Sequence, residues 1–334
     1  MALSVIIVNY RSSDYISNCI KSALQFDSAK DFEWIVVDNA SNDNSKDHIL
    51  SQFPFVKWID MGYNAGFARA NNEGIRQSEG ETVLLLNPDM IIQEDAISFC
   101  YSQLLNSSYI ASSVQLLNPD LTPQITGSFY MAGGLNHLLP LPYMGDILRA
   151  IAFGMKVKKT NIQDIVSEQK VDWINGAFIM AKKEAIDKAG MLDEDFFLYS
   201  EEIEWCYRLG KVGNLCVFGN LHSTHLQGET VNKEIKSKEK GYKNLFDIKG
   251  RQLIVSQMVR IRKQFGIAWC LFHFLMYLAE IPFFAIVSVI HHLVKFDNPF
   301  SDWKRISGYT INIMKLGLLL PVILRNKPHF YKIM

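Results

Sequence analysis

The 334 residues include only five cysteines (Cys19, Cys100, Cys206, Cys216 and Cys270), with no Cys-x-x-Cys pair among them. So odd and scattered a set excludes a disulfide framework and a cysteine-built zinc site, and it points to a reducing compartment. Net charge is lacking too, since 34 Lys+Arg stand against 34 Asp+Glu. The chain as a whole is therefore no electrostatic binder of nucleic acid. No basic segment leading into an apolar run and a small-residue cleavage site opens the chain, so a signal peptide is not expected and the body is placed in the cytosol. The stretch Asn9-Tyr10-Arg11-Ser12 has no glycine, whereas a nucleotidyltransferase would want a Gly-rich, basic phosphate loop after its first strand. What is plentiful is apolar surface. Hydrophobic residues make up 49% of the chain, which excludes a disordered polymer and allows one large domain or two moderate ones.

The neutral total averages two unlike parts. Residues 1–230 carry 17 Lys+Arg and 28 Asp+Glu, a net of −11, while residues 231–334 carry 17 and 6, a net of +11. An acidic body joined to a basic tail implies two surfaces with different partners.

Short apolar runs rich in β-branched residues predict strands over 3–8, 34–37, 56–60 and 82–86. Helical spacing predicts helices over 14–24 and 65–77, and another ending near Ile49. Strands alternating with helices make this an α/β chain with a mainly parallel, Rossmann-like sheet, in which ligands sit outside the carboxyl ends of the strands. Asn9, Asp38 and Asp89 fall at such ends. From about Gly127 to Lys170 the pattern breaks, as in a lid or a mobile loop, and regular structure returns over 171–226. This divides the chain into a catalytic body over 1–240, with a nucleotide half (1–90), an irregular acceptor-side segment (127–170) and an acceptor half (171–230), and a helical region over 241–334.

The tail holds an almost wholly apolar stretch, 266–293, interrupted by His273, Glu280 and Pro282, and a second apolar patch, 311–324. The first is long enough to span a bilayer, but Glu280 near its centre would cost roughly 2–3 kcal/mol there. Arg251, Arg260, Arg262 and Lys263 precede it and Lys304, Arg305, Lys315, Arg325 and Lys327 follow. Basic flanks on both sides suit helices lying in, or dipping into, an anionic cytoplasmic leaflet. A buried helical hairpin or a homodimer interface is the alternative.

Four constellations could carry chemistry, and each also has a plain structural reading. Asp38-Asn39-Ala40-Ser41-Asn42-Asp43 follows a buried strand; it is turn chemistry, or a nucleoside pocket in which Asp38 accepts hydrogen bonds from base or ribose. In 64–72 (NAGFARANN), Asn64 can cap a helix, Gly66 lets a ligand approach the backbone, and Arg69 beside a helix N-terminus suits phosphate or ribose. Asn87-Pro88-Asp89 ends a strand in a carboxylate able to hold a hard divalent cation, or is a simple turn. The richest segment is 192–208, LDEDFFLYSEEIEWCYR. Ser200 is placed to cap a helix whose first turn holds Glu201 and Glu202, and Glu204 and Arg208 are spaced to pair structurally. His225 is a further candidate, structural if alone and a metal ligand if beside Asp89 and a diphosphate.

With these pieces in this order the chain resembles a family 2 glycosyltransferase of the GT-A type, nearest the bacterial rhamnosyltransferase branch of surface-polysaccharide assembly. The matching segments are SVIIVNYRS (4–12), WIVVDNASNDNS (34–45), NAGFARANNEGI (64–75), LLLNPD (84–89), 171–208 and HLQGET (225–230). The resemblance implies a GT-A nucleotide-diphospho-sugar transferase fold with a membrane-associated helical tail. It implies a nucleotide-diphosphate sugar donor, a lipid-linked saccharide acceptor, Mg²⁺ or Mn²⁺, and the cytoplasmic face of a bacterial inner membrane. Asn9, Arg11, Asp38, Asn64, Gly66, Arg69, Asn72 and Asn87 would line the donor site. Asp89 and His225 would hold the metal. Asp172, Trp173, Gly176 and Asp195 would shape the sugar and acceptor site, and Glu202, with Glu201 as the alternative, would be the base of an inverting displacement, with rhamnose from a dTDP donor as the expected sugar and galactose, glucose or another deoxysugar as alternatives.

Two positions depart from the family. Asn87-Pro88-Asp89 stands where Asp-x-Asp is common, replacing one charged ligand by an amide. Glu201-Glu202 stands where Glu-Asp is usual, lengthening the base by one methylene. A non-catalytic, membrane-bound binder of nucleotide sugars is the competing expectation, and it rests on those two departures.

Overall fold

The computed structural model describes residues 2–130, 132–157, 159–227 and 244–334, which pack as two units. The first comprises Met1–Tyr130, Thr160–Glu194 and Glu201–Thr230. It opens with β1 (Leu3–Asn9), α1 (Ser13–Ala23), β2 (Glu33–Asp38), α2 (Ser45–Gln52), β3 (Lys57–Asp60), α3 (Gly66–Gln77) and β4 (Thr82–Leu86). The strands are apolar throughout because helices cover both faces. Val5, Ile7 and Val36 pack with Ile16, Cys19 and Ile20 of α1 on one side, whereas Ile6, Ile35 and Val37 pack with Ala68 and Ile75 of α3 on the other. The order β3-β2-β1-β4 is parallel, with Asn9 in register with Asp38. Strand bounds here lie within one residue of those the hydrophobic runs predict.

The chain continues through β5 (Met90–Ile92), α4 (Ala96–Leu105), β6 (Ala111–Leu117), β7 (Gly127–Ser128), α5 (Met144–Gly154), β8 (Asn161–Ile162), β9 (Glu168–Val171), β10 (Trp173–Ile174), β11 (Phe178–Lys182), α6 (Lys183–Ala189), α7 (Glu201–Leu209) and β12 (Leu215–His225). Beyond β4 the sheet runs β11-β6-β12-β5, with β9 also on β12, giving nine strands. β12 is parallel to β6, while β11 enters antiparallel between β4 and β6. β10, β7 and β8 form a small antiparallel sheet.

The second unit comprises Met131–Lys159, Asp195–Ser200 and Val231–Met334. Its frame is α8 (Ile248–Phe265), α9 (Ile267–Val294) and α10 (Trp303–Arg325). Asp247 starts α8 by accepting the Gly250 N–H at 2.9 Å. Gly266 ends it at φ 91°, a left-handed backbone that favours glycine. Met258, Tyr277, Phe284, Tyr309 and Ile313 form the core, and the Tyr309 hydroxyl donates to the Tyr277 carbonyl at 2.9 Å.

The segment expected to be irregular contains α5, and the reason is tertiary. Glu280, fully buried on α9, accepts the N–H groups of Tyr143 and Met144 at 2.8 and 3.2 Å, so a carboxyl 137 residues away caps the start of α5. This side chain therefore sits inside protein rather than among lipid tails. Apolar side chains on the outer faces stay exposed: Leu275, Ile286 and Ile290 on α9, Ile311, Met314 and Leu318 on α10, and Phe153 at the end of α5. Only 28% and 33% of the most apolar stretches of α9 and α10 are buried, so these helices are no ordinary core hairpin.

Candidate active site

The strand ends converge on a polar cluster that begins at Asn9. Its amide, wholly buried at the end of β1, donates to Asp38 Oδ1 at 2.7 Å and to Ser41 Oγ at 3.0 Å. Its carbonyl oxygen accepts from the N–H and hydroxyl of Ser12, both at 3.1 Å. Asn9 thus spends its polar atoms on the protein and orients Asp38, whose Oδ2 also accepts the Ser41 N–H at 3.2 Å. Arg11 has φ 52°; its N–H donates to Ser41 Oγ at 3.0 Å and its guanidinium lies 5.7 Å from the Tyr10 ring centroid.

Asn39, next to Asp38, is a residue that sequence reasoning missed. Its oxygen accepts the Ala65 N–H at 2.7 Å and its amide donates to Asn64 Oδ1 at 3.1 Å, so it ties the β2 end to the start of α3. Asn64 Oδ1 in turn accepts the Gly66 N–H at 3.2 Å, and Gly66 has φ 75°. The only hint of Asn39 in sequence is its place inside the Asx-rich turn 38–43.

Asn72 and Arg69, expected to line the donor site, hydrogen-bond to residues 192–194. The Asn72 amide is 1% exposed and engages the backbone of Leu192 twice, donating to its carbonyl at 2.8 Å and accepting its N–H at 3.0 Å. Arg69 Nε donates to the Glu194 carbonyl at 3.1 Å, and Arg76 pairs with the Glu194 carboxylate. Both side chains therefore brace the segment leading toward α7. An amide on an amphipathic helix gives no sign in sequence of a partner 120 residues away.

Asp89 follows β4 and is nearly buried. His225 Nε2 lies 3.4 Å from Asp89 Oδ1 and within 3.4 Å of the Asn87 amide, which donates toward it. On the other side of the ring, Nδ1 lies 3.1 Å from Gln124 Oε1. The Gln124 amide nitrogen donates to the carbonyls of Leu117 and His225 at 3.1 and 2.7 Å, which sets its oxygen toward the ring. Gln124 thus takes up Nδ1, and Nε2 is the ring nitrogen that faces Asp89, as in a histidine whose second nitrogen is held by an outer partner. Two protein ligands, one carboxylate oxygen and one imidazole nitrogen, fit a divalent cation that takes its remaining ligands from a diphosphate and water. Among the described residues there is no cluster of three or more acidic, His or Cys side chains that could hold a metal alone. Gln124 belonged to no motif and was not anticipated.

The acceptor-side residues meet around β10 and α7. Asp172 Oδ2 accepts the Tyr130 N–H at 2.8 Å, and the Tyr130 hydroxyl donates to the Ile203 carbonyl in α7 at 2.9 Å. Trp173 is half-buried and pairs across the small sheet with Ser128. Gly176 packs against Glu202, and a β-carbon there would stand 3.4 Å from both its Cβ and its Cγ. The next residue, Ala177, accepts the Asn87 N–H at 2.9 Å. One turn of backbone thereby touches both the Asn87-Pro88-Asp89 corner and Glu202. Glu202 is half-buried and Glu201 buried. Glu204 and Arg208 form the expected structural pair, with Nε and Nη2 each 2.8 Å from a carboxylate oxygen.

Ser200 does not adopt the extended backbone of an ordinary helix cap. Tyr199 and Ser200 take φ values of 72° and 70° in succession, a conformation that costs about 1–2 kcal/mol per non-glycine residue and persists only where the surroundings impose it. Asp195, expected at the sugar site, is 9% exposed within the second unit, where Lys263 Nζ lies 2.7 Å from its Oδ2 and the His329 N–H donates to its Oδ1 at 2.8 Å. Gly228, Glu229 and Thr230 of the last matching segment lie outside the described residues. An open hollow of 580 Å³, lined in part by Glu94, Gln115, Asp164 and His222, includes none of the expected site residues.

Residues 4–123 match the family described as glycosyl transferase family 2. The chain is 31% identical over 234 residues to the low-salt glycan biosynthesis hexosyltransferase Agl10 of Haloferax volcanii, covering 66% of this chain and 67% of that one. It is 24% identical over 236 residues to the N-acetylglucosaminyl-diphospho-decaprenol L-rhamnosyltransferase of Mycobacterium tuberculosis, covering 65% of this chain and 73% of the other. Among solved structures, the mannosyltransferase PcManGT of Pyrobaculum calidifontis, in complex with GDP-Man and Mn²⁺, superposes with a TM-score of 0.54 at 14% identity, over 95% of this chain and 86% of that one. That likeness establishes the GT-A fold.

Proposed function

Because the chain belongs to glycosyl transferase family 2 and is a glycosyltransferase, we propose that it moves a sugar, with rhamnose from dTDP-rhamnose the foremost candidate, from a nucleotide-diphosphate donor to a lipid-linked saccharide, with inversion at the anomeric carbon. The observation that carries this reading is the shared backbone at Gly176 and Ala177, which links the Asn87-Pro88-Asp89 corner to Glu202. The corner proposed to face the leaving group and the proposed base thus contact the same short turn, which supports an in-line displacement. Rhamnose and a lipid-linked acceptor are suggested by the name of the mycobacterial relative.

In this reading Asp38, oriented by Asn9 and Ser41, accepts hydrogen bonds from the nucleoside. Asn39 and Asn64 fix the start of α3 beside it. Asp89 and His225 Nε2 would hold Mg²⁺ or Mn²⁺, and the cation would supply charge neutralisation for the departing diphosphate. Glu202 takes the proton of the acceptor hydroxyl as that oxygen attacks, and Gly176 leaves room for its carboxyl to approach. Tyr130 and Asp172 brace the carboxyl side of the same pocket.

The apolar outer faces of α9, α10 and α5, flanked by Lys156, Lys159, Arg305 and Arg325, support a seat on an anionic cytoplasmic leaflet, the surface at which a lipid-linked acceptor would be met. The test is transfer by the detergent-purified protein over a panel of nucleotide sugars and a polyprenyl-diphosphate-linked acceptor, with Mn²⁺ or Mg²⁺ against EDTA. Metal-dependent release of nucleoside diphosphate, lost in Glu202→Gln, supports the reading. Donor binding without turnover, alike in both proteins, sinks it in favour of a non-catalytic binder.

A further inference from the structure

The chain does not end at its last helix. Beyond α10, residues His329–Ile333 return to the second unit and run beside the loop 195–200, pairing with it as a strand would. The Tyr331 N–H donates to the Asp195 carbonyl at 2.9 Å, and Phe196 and Tyr331 form a parallel bridge. The His329 N–H donates to Asp195 Oδ1 at 2.8 Å, and the rings of Phe330 and Phe197 meet edge to face at 5.8 Å.

A second layer locks this pairing. Gln252 of α8 is wholly buried; its amide donates to the Tyr331 carbonyl and to Ser256 Oγ, both at 3.0 Å, and its oxygen accepts the Ile333 N–H at 2.9 Å. Ser256 passes the contact on, donating to the Leu198 carbonyl at 2.7 Å. Lys263, also of α8, pairs with Asp195 at 2.7 Å. The loop is therefore held at Asp195, Phe196, Phe197 and Leu198. Its next two residues are Tyr199 and Ser200, whose left-handed backbone needs outside support. Directly after them comes α7, with Glu202 as its second residue.

We propose that the C-terminal segment His329–Ile333 is a strap that holds the run-in to α7, and that Gln252, Lys263 and Tyr331 are positioning residues for the base Glu202. The proposal rests on the reading of Glu202 given above. Physically, a base must stand within hydrogen-bond reach of the proton it removes, and a misplacement on the order of 1 Å can cost about a hundredfold in rate. A loop with two consecutive left-handed residues relaxes once its clamp is removed, and the first turn of the helix, where Glu202 stands, lies ahead of the buried Trp205 and Cys206 that anchor the rest. The proposed donor residues lie on or just after β1, β2 and β4, whereas Glu202 stands two residues beyond the loop that the strap holds, so donor binding should change little.

The experiment compares the full chain with a chain stopped after Asn326, with Gln252→Leu, and with the pair Lys263→Met and Lys263→Arg. Each protein is tested for kcat, donor KM, thermal midpoint and amide exchange across residues 195–204. Expected are faster exchange across 195–204 and a fall in kcat of about tenfold or more in the shortened chain and in Gln252→Leu, with donor KM within about twofold. Lys263→Met follows them more mildly, and Lys263→Arg restores the ion pair and the rate. A shortened chain with unchanged exchange, or with fast exchange and full kcat, overturns the strap. If the shortened chain proves unfolded, the single substitutions decide by the same criteria. The two ideas fail differently: no transfer by the intact protein removes both, whereas transfer that is indifferent to the strap removes only this one.

Discussion

His225 Nε2 stands 3.4 Å from Asp89 Oδ1 while Gln124 holds the opposite ring nitrogen at 3.1 Å. The pair is built from β12 and the corner after β4, and the glutamine comes from the loop after β6. Outer partners of this kind fix a histidine's tautomer, and their loss typically weakens metal affinity by about 10–100-fold. Gln124→Leu should therefore raise the Mn²⁺ concentration needed for half-maximal transfer within that range. His225→Ala should raise it further, and donor KM at saturating metal should move less in Gln124→Leu than in His225→Ala. Equal metal dependence in Gln124→Leu and wild type would remove the role given to the glutamine.

Gly176 leaves room for no more than a methyl group beside Glu202. A methyl there makes ordinary contact at 3.4 Å, so Gly176→Ala should be tolerated, whereas the branches of valine must displace the Glu202 side chain. Gly176→Val should lower kcat toward the level of Glu202→Gln, which is expected to lose about 10²–10⁴-fold. Steady-state transfer with saturating donor decides it, and a fully active valine variant would show that Glu202 needs no room at this point.

Asn72 spends its amide on both backbone groups of Leu192. Asn72→Ala leaves a buried N–H and C=O without that partner, costing about 2–4 kcal/mol. The expected outcome is a drop in thermal midpoint of several degrees, with donor affinity changed little. A large loss of donor affinity at an unchanged midpoint would return Asn72 to the pocket.

The five cysteines are all buried. Burial pushes the thiols of Cys100 and Cys206 up to about 12, with smaller opposing effects from the Ser112 hydroxyl at Cys100 and the Ile174 backbone at Cys206. Thiolate is thus nearly absent in the folded protein at pH 8, and iodoacetamide should label these two only after denaturation. A folded pKa raised above the unfolded value gives stability that is complete below the unfolded pKa, near 8.5, and is lost as pH rises toward 12. Unfolding should therefore become easier above about pH 9, measurable as a falling denaturation midpoint between pH 8 and pH 10.

The outward faces of α9 and α10 carry Leu275 and Leu318, 57% and 80% exposed. Replacing both by Asp removes apolar area that makes little contact inside the protein. Sedimentation with vesicles containing anionic lipid should weaken markedly while the thermal midpoint stays within a few degrees. Unchanged sedimentation would leave these faces to a protein partner.

Much of the molecule was legible before any coordinates. Short, β-branched apolar runs near the N-terminus read as strands covered on both sides, so β1, β2, β3, β4 and the helices between them follow from run length, residue type and periodicity. The same logic put Asn9, Asp38 and Asp89 at strand ends, and the i,i+4 spacing identified Glu204 and Arg208 as a pair. Local patterns act within a few residues, and these features are local. The remaining features depend on contacts across long stretches of chain. Helix α5 stands in a segment that reads as irregular because its cap is Glu280, and Gln124 reaches His225 from 101 residues away. Asn72, a helix-surface amide in sequence, became a backbone brace, and Asp195 came under the grip of Lys263 and the C-terminal segment. Hydrogen-bond partners brought together only when the sheet and helices pack leave no periodic trace in sequence, so composition and spacing determined the scaffold and tertiary packing decided which polar side chains serve it and which are left to face a ligand.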